Sequence, residues 1–185
     1  MNSTVIAVVA VLCLVGIFAV SRARAQKLRP AEPATYIALR DQALSTSRKA
    51  LGLPASKAPL VVLMDIGADE GFTITTVAYE DGTASIYLSN GGGFIGGGQR
   101  HEAIRNAAYV MLKAAEQTLT NMTAVKAHPL PGAGKTSFYV VTDAGTYLAT
   151  AATKDIEAGS QHPLYQLYVA GQDVITQYRI SQQSK

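Results

Sequence analysis

Residues 90–98 read Asn-Gly-Gly-Gly-Phe-Ile-Gly-Gly-Gly, and six glycines within eight positions make this the stretch best able to bring bare backbone against a ligand or a partner. Gly91-x-Gly93-x-x-Gly96 fits the dinucleotide fingerprint by letter and stands between a strand pattern and a helix pattern. That fingerprint belongs to a parallel strand-helix-strand unit with an acid about 20 residues on, whereas here position 116 lies inside the helix pattern and a hairpin pattern follows. Two other readings remain. Gly91, Gly92, Gly93, Gly96, Gly97 and Gly98 could present Phe94 and Ile95 to a protein surface, or they could close over an anion or small ligand beside Arg100, His101 and Arg105.

The other chemically suggestive residues fail on spacing. Gly132-Ala133-Gly134-Lys135-Thr136 ends like a phosphate-binding loop, but Pro129 stands where that loop needs its first glycine, and a β-branched and aromatic run follows instead of a helix. His101-Glu102 starts like a zinc-protease helix, yet Arg105 occupies the place of the second histidine. Asp65, Asp69 and Glu70 cluster with Gly67 and Gly71 as an acidic loop, but the calcium pattern would require glycine where Glu70 stands and glutamate where Thr76 stands. A solvated turn is the expectation there. His128 and His162 each precede a proline and read as turn and cap residues. No Cys-His pair can form, because Cys13 is the single cysteine and lies in an apolar run. The sequence therefore calls for no metal and no cofactor, and it supplies no catalytic constellation.

Charge excludes another class. Residues 1–49 carry seven basic and two acidic side chains, and the remainder carries nine and eleven, so the overall +3 belongs to the N-terminal region. A slightly acidic domain without a basic, aromatic-laced face is not expected to bind nucleic acid.

The N-terminal region explains that basicity. No charged side chain occurs from Met1 to Ser21, and Val5–Val20 is apolar throughout, which is close to the length that spans a bilayer. Arg22, Arg24, Lys27 and Arg29 follow it and none precedes it, so residues 1–21 read as an uncleaved signal-anchor helix that contacts lipid through residues 4–20. Positive charge on the C-terminal side predicts a cytoplasmic domain. The alternative is export after cleavage near Ala25, since Ala23-Arg24-Ala25 has the small-x-small form of a processing site. Residues 22–32 form a basic juxtamembrane linker, and residues 33–185 form one soluble domain.

The elements that must position the glycine stretch follow from periodicity. Pro33 opens a helix with apolar residues from Tyr36 to Leu51. Leu60–Met64 is a continuous apolar run, as expected of a central strand buried on both faces. Phe72–Tyr79 and Ala84–Leu88 flank Asp81-Gly82, which predicts a hairpin with a type I′ turn. Ile104, Ala107, Ala108, Met111, Ala115, Leu119 and Met122 mark a second helix, and residues 123–135 a connector. Phe138–Thr142 and Thr146–Thr150 form a hairpin about Asp143-Ala144-Gly145, and Pro163 opens a last helix with Gly171 on its apolar stripe. The expected fold is α+β, a five-stranded antiparallel sheet flanked by three helices in the order α-βββ-α-ββ-α. In element order alone it is similar to profilin-like and roadblock-type domains, a likeness that transfers no functional residue. The function implied is a membrane-anchored, non-enzymatic assembly domain with a protein partner or a second copy of itself, the alternative being a sensor of a small ligand or anion.

Overall fold

The computed structural model describes residues 33–183, so the predicted anchor, its linker and the cleavage alternative lie outside the described residues. Helix α1 (Ala34–Leu44) is followed by β1 (Val61–Gly67), β2 (Thr73–Tyr79), β3 (Ala84–Leu88) and β4 (Gly93–Phe94). Then come α2 (Gly97–Arg100), α3 (Glu102–Thr118), a 3-10 turn, β5 (Thr123–Val125), β6 (Lys135–Thr142), β7 (Gly145–Ala152), α4 (Thr153–Glu157) and α5 (Tyr165–Gln183). One sheet in the order β4-β3-β2-β1-β6-β7-β5 contains all the strands of the described residues, every neighbouring pair antiparallel. The α+β class and the antiparallel sheet agree with expectation. The strand count does not: there are seven among the described residues, because two- and three-residue strands such as β4 and β5 leave no alternating pattern to read. No helix among the described residues is long and apolar enough to cross a membrane.

Side-chain alternation along β1 sets the layers. Val61 and Leu63 join Tyr36, Ala43 and Leu44 of α1 on one face, while Val62 and Met64 meet Ile104, Ala108 and Met111 of α3 and Leu167 and Val174 of α5 on the other. Both faces are thus covered, and the run Leu60–Met64 is at most 1% exposed. Each such side chain contributes about 1.5–3 kcal/mol by its burial. The alanine-rich stripe of α3 lets α5 lie close, and Gly171 completes the fit: a Cβ there would stand 2.6 Å from Met64 Sδ. The space Gly171 leaves is filled by methionine side chains.

Three local expectations change. Helix α1 stops at Leu44 rather than near Leu51, since the Ser45 and Thr46 hydroxyls donate back to the carbonyls of Asp41 and Gln42 and compete for the helix's last acceptors. The β2–β3 turn is a three-residue loop: Gly82 has φ +81°, its N–H donates to Tyr79 O, and no non-glycine among the described residues has positive φ, which rules out a type I′ turn. The β6–β7 turn is the two-residue loop Asp143-Ala144, with Thr142 opposite Gly145.

Asp65 also departs from its expected place in a solvated acidic loop. It lies within β1, fully buried, on the α1 side with Val61 and Leu63. Arg40 of α1 donates to Asp65 Oδ2 from Nε (3.0 Å) and Nη2 (2.7 Å), and the Thr75 hydroxyl donates to Oδ1 at 2.6 Å. Burial pushes this carboxyl above its ordinary value, with Arg40 and Thr75 pulling the other way. The pair ties α1 to the centre of the sheet.

On the opposite side α4 is tied to α5 by the Tyr168 hydroxyl, which donates to Glu157 Oε1 at 2.5 Å. Burial first, and then that carboxylate, push the hydroxyl up to about 12. Because the folded value exceeds the unfolded one, the stability it contributes is complete below pH 10 and is lost as pH rises toward 12. Denaturant titrations at stepped pH should therefore show Tyr168→Phe with a flatter alkaline fall than the wild type; equal slopes would remove this role.

Candidate functional site

Strand β3 ends at Leu88 and the chain reverses through Asn90–Gly92, with Gly91 N–H donating to Leu88 O (3.0 Å) and Leu88 N–H to Gly92 O (3.2 Å). Gly91, Gly92 and Gly93 have φ of +107°, +90° and +145°, so three successive positions favour glycine on conformation alone. The reversal lays β4 back along β3, with Phe94 opposite Ile86 and Gly93 opposite Tyr87.

Past Ile95 the backbone runs against the body of the domain. A Cβ on Gly98 would lie 1.9 Å from Gly82 O, and one on Gly97 would lie 2.5 Å from the Tyr178 ring. Tyr178, from the last turns of α5, organises the stretch. Its hydroxyl accepts from Gly97 N (2.8 Å) and donates to Ala84 O (2.6 Å), and its ring stacks on Phe94 with centroids 5.5 Å apart. Burial raises the Tyr178 hydroxyl above its ordinary value, keeping it protonated as that donor.

The side chains on this backing are apolar and outward. Phe94 is 43% and Ile95 69% exposed, although the strand that carries Phe94 is paired with β3 along one side. A recess of about 260 Å³ beside them is lined by Arg100, His101, Tyr178, Ser181 and Gln182 together with Gly93–Gly97. The structure therefore brings Phe94, Ile95, Arg100 and His101 together, as the two readings of the sequence required. It does not bring Arg105, whose guanidinium donates from Nε to Gly98 O (2.9 Å) and from Nη2 to Gln99 O (3.4 Å), bracing the loop. Gly91, Gly92 and Gly98 also lie off the recess.

The amides of the stretch decide what it can hold. Gly96 N–H donates to Ser85 Oγ (3.2 Å), Gly97 N–H to Tyr178, Gln99 N–H to Gly96 O (3.3 Å) and His101 N–H to Gly97 O (3.0 Å). A phosphate cradle needs these donors free and convergent. Here these four are engaged within the domain, and the basic side chains that line the recess are Arg100 and His101.

Sequence reading missed Tyr178, Ser181 and Gln182, which approach from the far end of the chain; only the place of Tyr178 on the apolar stripe of α5 signalled that it points inward. The remaining motifs are structural. Gly134 N–H donates to Gly67 O (2.9 Å), fastening the 132–136 segment to the end of β1, and His162 Nδ1 accepts from Leu164 N (3.2 Å) as an ordinary cap. Among the described residues no three His, Cys, Asp or Glu side chains cluster as metal ligands. A larger open recess, about 610 Å³, lies by Ser56, Lys57, Leu119 and Tyr147, but its carboxylate Asp143 already accepts from Ser56 N and pairs with buried Arg48. Compared with protein-family models, curated proteins and solved structures, the chain matches none.

Proposed function

We propose that this chain is a membrane-anchored, non-enzymatic binding module that presents the Gly91–Gly98 edge to a protein partner or to a second copy of itself. The anchor would be the apolar segment within residues 4–20, followed by the basic 22–32 linker, with the domain on the cytoplasmic side. The observation that carries the reading is the exposed Phe94-Ile95 pair, with Phe94 stacked on Tyr178 and paired opposite Ile86. An aromatic and an aliphatic residue held at low residual entropy are what an interface centre uses, and the domain itself gains little from leaving Ile95 in water. The profilin-like or roadblock-type likeness in element order is consistent with an assembly role and adds no residue to it.

The test is co-purification of the full chain from detergent, wild type beside Ile95→Asp. The variant should keep its stability within about 0.5 kcal/mol, the usual range for an exposed position, while a stoichiometric partner or a dimer is lost. An unchanged complex sinks the proposal. Protease protection in intact cells tests the orientation, and a mature N-terminus at Gln26 would favour the export alternative.

The second reading, a small-ligand or anion sensor, is favoured by the presence of Arg100 and His101 in one recess. Titration with inorganic phosphate, followed by thermal shift in wild type and Arg100→Ala, separates the two.

A further inference from the structure

The connector between β5 and β6 crosses the sheet on the α1 side, and three contacts hold it there. Arg40 Nη1 donates to His128 O at 2.9 Å, the His128 ring meets Tyr139 edge-on with centroids 5.6 Å apart, and the Tyr139 hydroxyl donates to Pro129 O at 2.5 Å. Leu130 packs beside them on the α1-side core. Between β5 and Gly132 the connector has no regular secondary structure, and these contacts help to hold its first half in place.

His128 as a residue is half-buried, but its Nε2 is covered and has no hydrogen-bond partner among the described residues. A neutral imidazole tolerates that as an unused acceptor at modest cost; an imidazolium would bury a charged N–H with nothing to receive it. The groups around it do not help. From α1 the Arg40 guanidinium opposes a second positive charge, and it also lies over the Tyr139 ring at 5.1 Å. Asp65 on β1 is already paired with that guanidinium, Tyr139 on β6 is neutral, and only Asp41 of α1 favours the charged form.

We propose that the 126–134 connector is a proton-operated strap: neutral His128 keeps it closed over Tyr139 and the Arg40–Asp65 pair, and protonation of His128 releases it. Burial first, then Arg40, lower the His128 imidazole below its ordinary 6.5. With a depressed folded value, the strap's closure is complete above the unfolded value and is lost as pH falls below it. Release would uncover Leu130 and the Tyr139 ring, apolar surface on the face opposite the α3–α5 pair.

A thiol at Leu130 reads this directly in the full chain in detergent, with Cys13→Ser removing the native cysteine. The labelling rate of Leu130→Cys is measured from pH 7.5 to 5, each divided by the rate for the same protein unfolded in urea, which cancels the thiol's own ionisation. The normalised rate should climb with acid, by up to about tenfold per pH unit for a single-proton opening. The same measurement on His128→Phe, which keeps an aromatic edge for Tyr139, should be flat. His128→Gln serves as a second non-titrating variant should the first not fold. A flat wild-type profile overturns the proposal, and so does an acid rise that persists in a folded non-titrating variant, because the proton would then bind elsewhere.

Discussion

Replacing Asp65 by alanine is expected to destabilise the domain by about 3–5 kcal/mol, the range for breaking a buried ion pair from one side. The loss is large because Arg40, 5% exposed, would keep its charge inside the core with neither carboxylate nor water to receive its Nε and Nη2 protons. Thr75 would lose an acceptor at the same time. For a domain of about 150 residues each kcal/mol moves the melting point by about 2–4 °C, so a fall of roughly 6–20 °C should appear by circular dichroism. The double variant Arg40→Met with Asp65→Leu should regain much of this, since an apolar pair of similar volume removes the uncompensated charge. If the single variant melted within a degree or two of wild type, water must reach Arg40, and the pair would not be the fastening described.

Gly98→Ala carries the second large effect. Its new methyl would stand 1.9 Å from Gly82 O, and because that atom is backbone, the contact can be relieved only by moving the β2–β3 turn away from α2. Overpacking of this kind costs about 1–3 kcal/mol, and more where backbone must shift. Gly132→Ala is the matched control, since nothing lies within 4 Å of its Cβ position and its φ is not in the left-handed range. It should leave stability unchanged or raise it slightly by restricting the unfolded chain. Denaturant midpoints separate the two: equal values would show that the stretch accommodates side chains freely, as a mobile loop would.

These two substitutions mark where the sequence is legible and where it is not. Leu60–Met64 and the stripes of α3 and α5 were readable because continuous burial and a 3.6-residue period leave a signature along the chain itself. Asp65 was not, because its meaning depends on Arg40, a helical residue 25 positions earlier whose charge hid its burial. The glycine stretch stands out in the sequence, but the packing of its backbone does not. Six glycines suggest mobility on conformational grounds, yet Gly97 and Gly98 are small so that Tyr178 and Gly82 can approach, and those neighbours are remote in sequence. Turn chemistry was legible in its residues but not in its loop lengths, since Gly82 and Gly145 both take positive φ in different turn types. Phe94 and Ile95 are exposed, and what the sequence did not show is that the Phe94 ring stacks on Tyr178.

The two ends of the sheet bear on how any assembly through this domain would grow. With both faces covered by helices, a neighbouring sheet cannot stack on it, and cross-strand addition could occur only at the outer rims of β4 and β5, two and three residues long. Rims that short offer too few unpaired donors and acceptors to template a long run of added strands. Contacts made beside Phe94 and Ile95 would consequently be made by side chains and not by strand addition.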